Sequence, residues 1–149
     1  MFISNATKTV AMCAQRAGEP PAGVLVWDYH VVTLTKLNDV WTVLDPDHIP
    51  SAAVSLSNYL RSSFEPLNAV PSQYLPQFKL VEASYLKAHF ASDRRHMRSV
   101  DGEWLKAPPP WTCIGSGHNL DEFIDMENSQ HATAIGLSSL RASEFLESL

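Results

Sequence analysis

VLVWDYHVVTLT at 24–35, with KLND at 36–39 and VWTVLD at 40–45, is the stretch whose reading decides the fold. The first run is dense in β-branched and aromatic residues, which suit a pleated, half-buried surface. A short polar break and a second apolar run complete a β-hairpin. Pro46 ends the second strand, because it lacks the N–H that a ladder needs. The register follows from the turn. If Leu37-Asn38 is a two-residue turn, or 36–39 a four-residue loop, His30 lies opposite Asp45. If the turn is Asn38-Asp39, His30 faces Asp47 and Asp45 is diagonal to it. Both registers put His30, Asp45 and Asp47 on one sheet face, because strand side chains alternate sides. Opposed Cβ atoms lie about 5 Å apart, within reach of an imidazole–carboxylate hydrogen bond.

A histidine in an apolar strand is costly to bury without a partner. A carboxylate beside it fixes the tautomer and steadies the charged ring, which is the orienting half of a nucleophilic triad. The competing reading is a structural His–Asp pair at a strand end. Trp27, Tyr29 and Val31 are placed to wall a pocket around His30.

Outward from the hairpin, the pattern predicts an α+β domain. MFIS at 1–4 reads as a strand, and 51–63 as a helix capped by Ser51. QFKLVEA at 77–83 alternates as a strand, followed by a short helix at 84–90. Asn119 is placed to cap a helix over 120–126, and Ser138 or Ser139 one toward the C-terminus. Pro66, Pro71 and Pro76 disfavour long helix between 64 and 77. With no repeat or linker, residues 1–149 form one expected domain.

The chain has 149 residues, 45% apolar and 18% charged, enough for one real core and not disordered by composition. Its net charge of −5, with no basic run beyond Arg94-Arg95, argues against a nucleic-acid partner. No stretch is apolar enough to span a membrane and no signal peptide is visible, so a soluble intracellular domain is expected. Two cysteines make neither a disulfide framework nor a four-cysteine zinc site.

Cys13 precedes His30 and Asp45 in the order thiol enzymes often use, with a thiolate as nucleophile and a histidine as base. Its apolar neighbours and the lack of a helix N-terminus favour a small buried hydrophobe over a nucleophile, and Cys113 follows the proline triplet at 108–110. His48 lies near the hairpin site on a turn, while His89, His96, His118 and His131 show no ligand spacing and read as surface or capping groups. Asp93-Arg94-Arg95 with His96 reads as a solvated ion-pair corner or a substrate wall. Trp104 and Trp111 flank and anchor the proline loop. Asp121, Glu122, Asp125 and Glu127 form a solvated helix face.

Six blocks carry a resemblance: FISN at 2–5, WDYHVV at 27–32, DPD at 45–47, SYLKAHFASDRRHM at 84–97, PPPWTCI at 108–114 and NLDEFIDM at 119–126. In that order they resemble the protein N-terminal glutamine amidohydrolase family. The resemblance implies a papain- or transglutaminase-like α+β fold, with a central antiparallel sheet and flanking helices. It implies a Cys–His–Asp triad whose histidine falls on His30 and whose aspartate falls on Asp45. The family's nucleophilic cysteine lies ahead of the FISN block, which here begins at residue 2. The resemblance therefore implies an N-terminally incomplete domain without that nucleophile. The implied reaction converts an N-terminal glutamine side chain to glutamate and ammonia, feeding a degradation pathway that reads N-terminal residues. The implied partners are peptides or proteins beginning with glutamine; a monomer in cytoplasm or nucleus is expected, with no metal, no organic cofactor and no membrane. Capture of the substrate's ammonium needs a carboxylate, and Asp28 and Asp47 are candidates by position. An inactive relative that keeps only a peptide-binding or structural role is the alternative.

Overall fold

In a computed structural model that describes residues 1–18, 23–67 and 70–127, the 24–35 run is three strands rather than one. In chain order the strands are β1 (Phe2–Ser4), β2 (Val10–Met12), β3 (Leu25–Trp27), β4 (His30–Val31), β5 (Thr33–Leu37), β6 (Val40–Leu44), β7 (Ala53–Ser55) and β8 (Gln77–Lys79). The helices are α1 (Leu56–Phe64), α2 (Ala83–His89) and α3 (Leu120–Ile124). The described residues are thus α+β, with antiparallel strands divided among three small sheets ordered β4-β1-β8, β2-β3 and β5-β6-β7. The helix expected from Ser138 or Ser139, and His131, lie outside the described residues.

The break in the long run has a local cause. The Asp28 carboxylate accepts from the Tyr29 amide at 2.9 Å, and its carbonyl accepts from the Ser4 hydroxyl at 2.6 Å. These bonds draw backbone groups away from a continuous ladder. Before the break the chain pairs with β2, Trp27 opposite Val10. After it, His30 pairs with Ile3 and Val31 with Phe2. Met1 and Val32 extend that ladder, exchanging bonds of 2.8 and 3.0 Å. The chain then enters the hairpin with β6.

The hairpin takes the Asn38-Asp39 register, from Leu37 opposite Val40 to Thr33 opposite Leu44. Asn38 and Asp39 both have positive φ, 49° and 62°, the pattern of a type I′ turn that matches strand twist. The ladder stops at Thr33. His30 is therefore directly opposite neither aspartate, which corrects the register-based placement: β4 belongs to a different sheet.

Helix α1 starts at Leu56, not near Ser51, and its cap is Ser55, whose hydroxyl accepts from the Asn58 amide at 3.4 Å. The first residues of the expected helix pair instead as β7 with β6, Val54 opposite Val43. The apolar stripe survives, with Leu56, Tyr59, Leu60 and Phe64 buried. β8 ends at Lys79, short of the expected run, and α2 starts at Ala83. Asn119 precedes α3 without capping it; its side chain accepts from the Ala91 amide at 2.8 Å and donates to the His89 carbonyl at 2.8 Å.

Central strand β1 divides the interior by alternation. Ile3 joins Val10, Met12, Val43, Tyr59, Phe64 and Phe78 on one side. Phe2 joins Leu120, Phe123 and Ile124 on the other. Helix α3 seals this second cluster against β1.

Candidate active site

Where the chain leaves β3 and enters β4, it carries Trp27, Asp28, Tyr29 and His30 along one wall of a cavity of about 670 Å³. Asp45, Pro46 and Asp47 supply a second wall at the end of β6. His96, Met97, Leu105 and Lys106 come from a separate segment and complete the lining. The size suits a small ligand or the end of a peptide.

His30 and Asp45 meet at the foot of this cavity, Nε2 to Oδ2 at 3.0 Å. Asp45 is fully buried and His30 nearly so, at 0% and 8% exposure. The pair is assembled from two sheets. Backbone pairing with Ile3 fixes His30, while the Asp45 amide donates to the Ala52 carbonyl at 2.8 Å. The Trp27 ring stacks on the imidazole, centroids 5.2 Å apart. Nε2 is engaged with Asp45, and among the described residues no hydrogen bond occupies Nδ1, which leaves it to exchange a proton with a ligand.

Burial alone would push the Asp45 carboxyl up. The His30 hydrogen bond and charge, the Asp47 amide at 2.9 Å and the Tyr59 hydroxyl at 2.9 Å outweigh it and hold the carboxyl down at about 2. An ionised carboxylate facing a histidine is thus maintained at neutral pH. Gln15 reaches the same Oδ2 with Nε2 at 3.5 Å, because residues 14–16 pair with the 45–49 turn through bonds such as Arg16 N to Asp47 O at 2.7 Å.

The two candidate ammonium-binding carboxylates, Asp28 and Asp47, both line the cavity, so the structure brings together all four site residues expected from sequence. Neither Cys13 nor Cys113 is in the lining. Cys13 is half-buried, its amide donates to the Ser63 carbonyl at 2.9 Å, and burial raises its thiol pKa, the opposite of activation. Cys113 is exposed. Among the described residues no group of three or more His, Cys, Asp or Glu side chains is placed to hold a metal ion.

His96, read from sequence with Asp93-Arg94-Arg95 as part of an ion-pair corner or a substrate wall, lines the cavity and meets the Tyr29 hydroxyl at 3.2 Å. Burial lowers its pKa, and the neighbouring His118 adds to the shift. Tyr59 was expected only as part of an apolar helix stripe; its hydroxyl was the available signal, since a buried phenol needs a partner. Gln15 carried no signal, because only the fold brings it to the 45–49 turn. The Asp93–Arg95 ion pair, at 2.6 Å, is exposed as expected of a corner. Arg94 donates to the carbonyls of Pro109, Trp111 and Thr112, stapling the proline loop beside it.

The model of a family described as N-terminal glutamine amidase matches residues 1–148. Among curated proteins, the chain is similar to the protein N-terminal glutamine amidohydrolase of Arabidopsis thaliana, 33% identical over 95% of this chain and 67% of that protein. The human protein of the same name is 36% identical over 85% of this chain and 63% of its own length. That of Drosophila virilis is 32% identical over 91% and 68%. The chain therefore spans about two thirds of the length of the relatives it matches. No helix among the described residues is long and apolar enough to cross a membrane.

Proposed function

The chain belongs to the N-terminal glutamine amidase family, and we propose that it serves the hydrolysis of N-terminal glutamine side chains in peptides or proteins to glutamate and ammonia. The observation that carries this reading is the buried 3.0 Å His30–Asp45 bond at the foot of a peptide-sized cavity. His30 acts as acid and base, and Asp45 orients it. In the first half-reaction a thiolate attacks the carboxamide carbon, and the carbonyl π pair moves to oxygen. Collapse of that intermediate breaks the C–N bond, and protonated His30 delivers a proton to the departing ammonia. In the second, water gives a proton to His30 and attacks the thioester, releasing glutamate and regenerating the thiolate. Asp28 and Asp47 receive the substrate's ammonium, restricting the reaction to a terminal residue.

The resemblance puts the family's nucleophilic cysteine ahead of the FISN block, so this reading gives residues 1–149 the base, the orienting carboxylate and the binding walls. It also gives them the single papain- or transglutaminase-like domain, acting as a monomer in cytoplasm or nucleus within a pathway that reads N-terminal residues. A second reading, peptide binding without turnover, draws support from the absence of both cysteines from the cavity lining.

The test is ammonia release from a peptide beginning with glutamine, by these residues carrying the family's cysteine segment ahead of Phe2, with an internal-glutamine peptide as control. His30→Ala should abolish release by about 10³-fold or more, the usual cost of a triad member, and Cys13→Ala should leave it intact. Binding of the glutamine-initial peptide by calorimetry with no ammonia would favour the second reading.

A further inference from the structure

Asp45 Oδ2 accepts a second strong hydrogen bond, from a side chain outside the cavity lining. We propose that Tyr59 is a positioning residue for the reaction: its hydroxyl, with His48 behind its ring, locks Asp45 so that Oδ2 stays aimed at His30. The inference rests on the amidohydrolase reading and adds to it a residue that reaches no substrate.

Tyr59 is fully buried on the inner face of α1, among Leu56, Leu60 and Phe64. A phenylalanine would fill the same space, and a buried hydroxyl costs stability unless bonded. Here the bond goes to a buried carboxylate at 2.9 Å. The Asp47 amide holds Oδ1 while His30 and Tyr59 share Oδ2, so turning the carboxylate plane would strain all three bonds at once. Gln15 alone would not replace Tyr59, since its Nε2 stands at 3.5 Å.

The phenol is itself held. His48 is 2% exposed and its ring lies 5.2 Å from that of Tyr59. His48 Nδ1 donates to the Ser51 carbonyl at 2.8 Å, and Nε2 stands at hydrogen-bonding distance, 2.8 Å, from the Ser62 hydroxyl. Both ring nitrogens are thus occupied, which fixes the plate against which Tyr59 packs. The ionisable groups around Asp45 come from three places: His30 on β4, Tyr59 on α1, and Asp47 and His48 on the turn.

In the chain carrying the family's cysteine segment ahead of Phe2, Tyr59→Phe keeps the ring and should lower kcat on a glutamine-initial peptide about tenfold, with KM changed by less than about twofold, the expected loss for one charge-assisted bond acting on chemistry alone. In an Asp45→Asn background the same change should cost nothing further, because the carboxylate it aims is gone. An equal loss in both backgrounds, or no loss in the native one, would overturn the proposal. ¹⁵N NMR of the His30 ring reads the same question without turnover. The native ring should hold its proton on Nε2, and Tyr59→Phe should move both nitrogens toward the averaged values of a mobile ring; unchanged resonances would refute the role. If the chain carrying the family's cysteine segment ahead of Phe2 releases no ammonia, the amidohydrolase reading fails and the ¹⁵N comparison still decides for Tyr59. Should Tyr59→Phe not fold, 3-fluorotyrosine at position 59 retains the hydroxyl as a stronger donor. It should keep the native kcat and His30 resonances, and a tenfold fall in kcat with it would count against the idea.

Discussion

At residue scale, the Asp45 carboxyl sets the acid limit of this molecule's stability. In the folded chain it titrates near 2, against an ordinary value of 3.8. As pH falls between those values the unfolded chain takes up its proton first, so the folded state loses ground. The stabilisation, about 2 kcal/mol, is complete above roughly pH 4 and gone near pH 2. The Asp45 share, read as the difference in urea midpoint between the native chain and Asp45→Asn, should therefore be level from pH 7 to 5 and shrink below pH 4. The exposed Asp93 is held down near 2 by its Arg95 hydrogen bond and titrates in the same window. An Asp93→Asn background separates the two, and adding Asp45→Asn there should lessen the remaining slope, to which Asp121, held low by its Lys8 hydrogen bond, also contributes.

At the scale of elements, the hairpin turn is the most exacting local requirement. Asp39, at φ 62°, occupies a left-handed conformation that a β-branched side chain resists. Asp39→Val should destabilise the chain by about 1–2 kcal/mol, read as a lower urea midpoint, while kcat stays at the native value because the turn lies outside the cavity. The hairpin, α1's apolar stripe and the Phe2–Ser4 strand were legible because periodicity and turn chemistry are local signals. The division of residues 24–35 was not. Val24, Val26, Val31 and Val32 announce extended chain without saying which neighbour each will pair with, and the deciding bonds run from Ser4 and Met1. The same limit explains the helix start: residues 53–55 suit a helix as well as a strand until β6 offers them an edge. His30 and Asp45 were found through a hairpin argument, although the ladder that argument used ends at Thr33. Their side chains meet because two sheets converge, a tertiary event that alternation alone does not encode.

At the scale of the whole molecule, β1 holds the structure together, presenting Ile3 to one core and Phe2 to the other. Phe123 is fully buried and packs on Phe2 with ring centroids 5.6 Å apart. Phe123→Ala should cost about 3–5 kcal/mol in urea unfolding, the usual range for emptying an aromatic site. Since β1 also carries β4, the penalty should reach His30: the Trp27–His30 stack and both cores should disappear in one transition, monitored together by tryptophan fluorescence and circular dichroism.

The side-chain donors that converge on Asp45 come from separate pieces of chain: Gln15, His30 and Tyr59 stand 30, 15 and 14 residues from it. Under the proposed function, such a carboxylate works as an assembly checkpoint. A molecule still emerging, half-opened by heat or trapped in a wrong pairing has an idle histidine and no orienting anion. Misfolded copies would then be inert toward the many amides around them, and quality control of the fold would double as control over where amide bonds are broken.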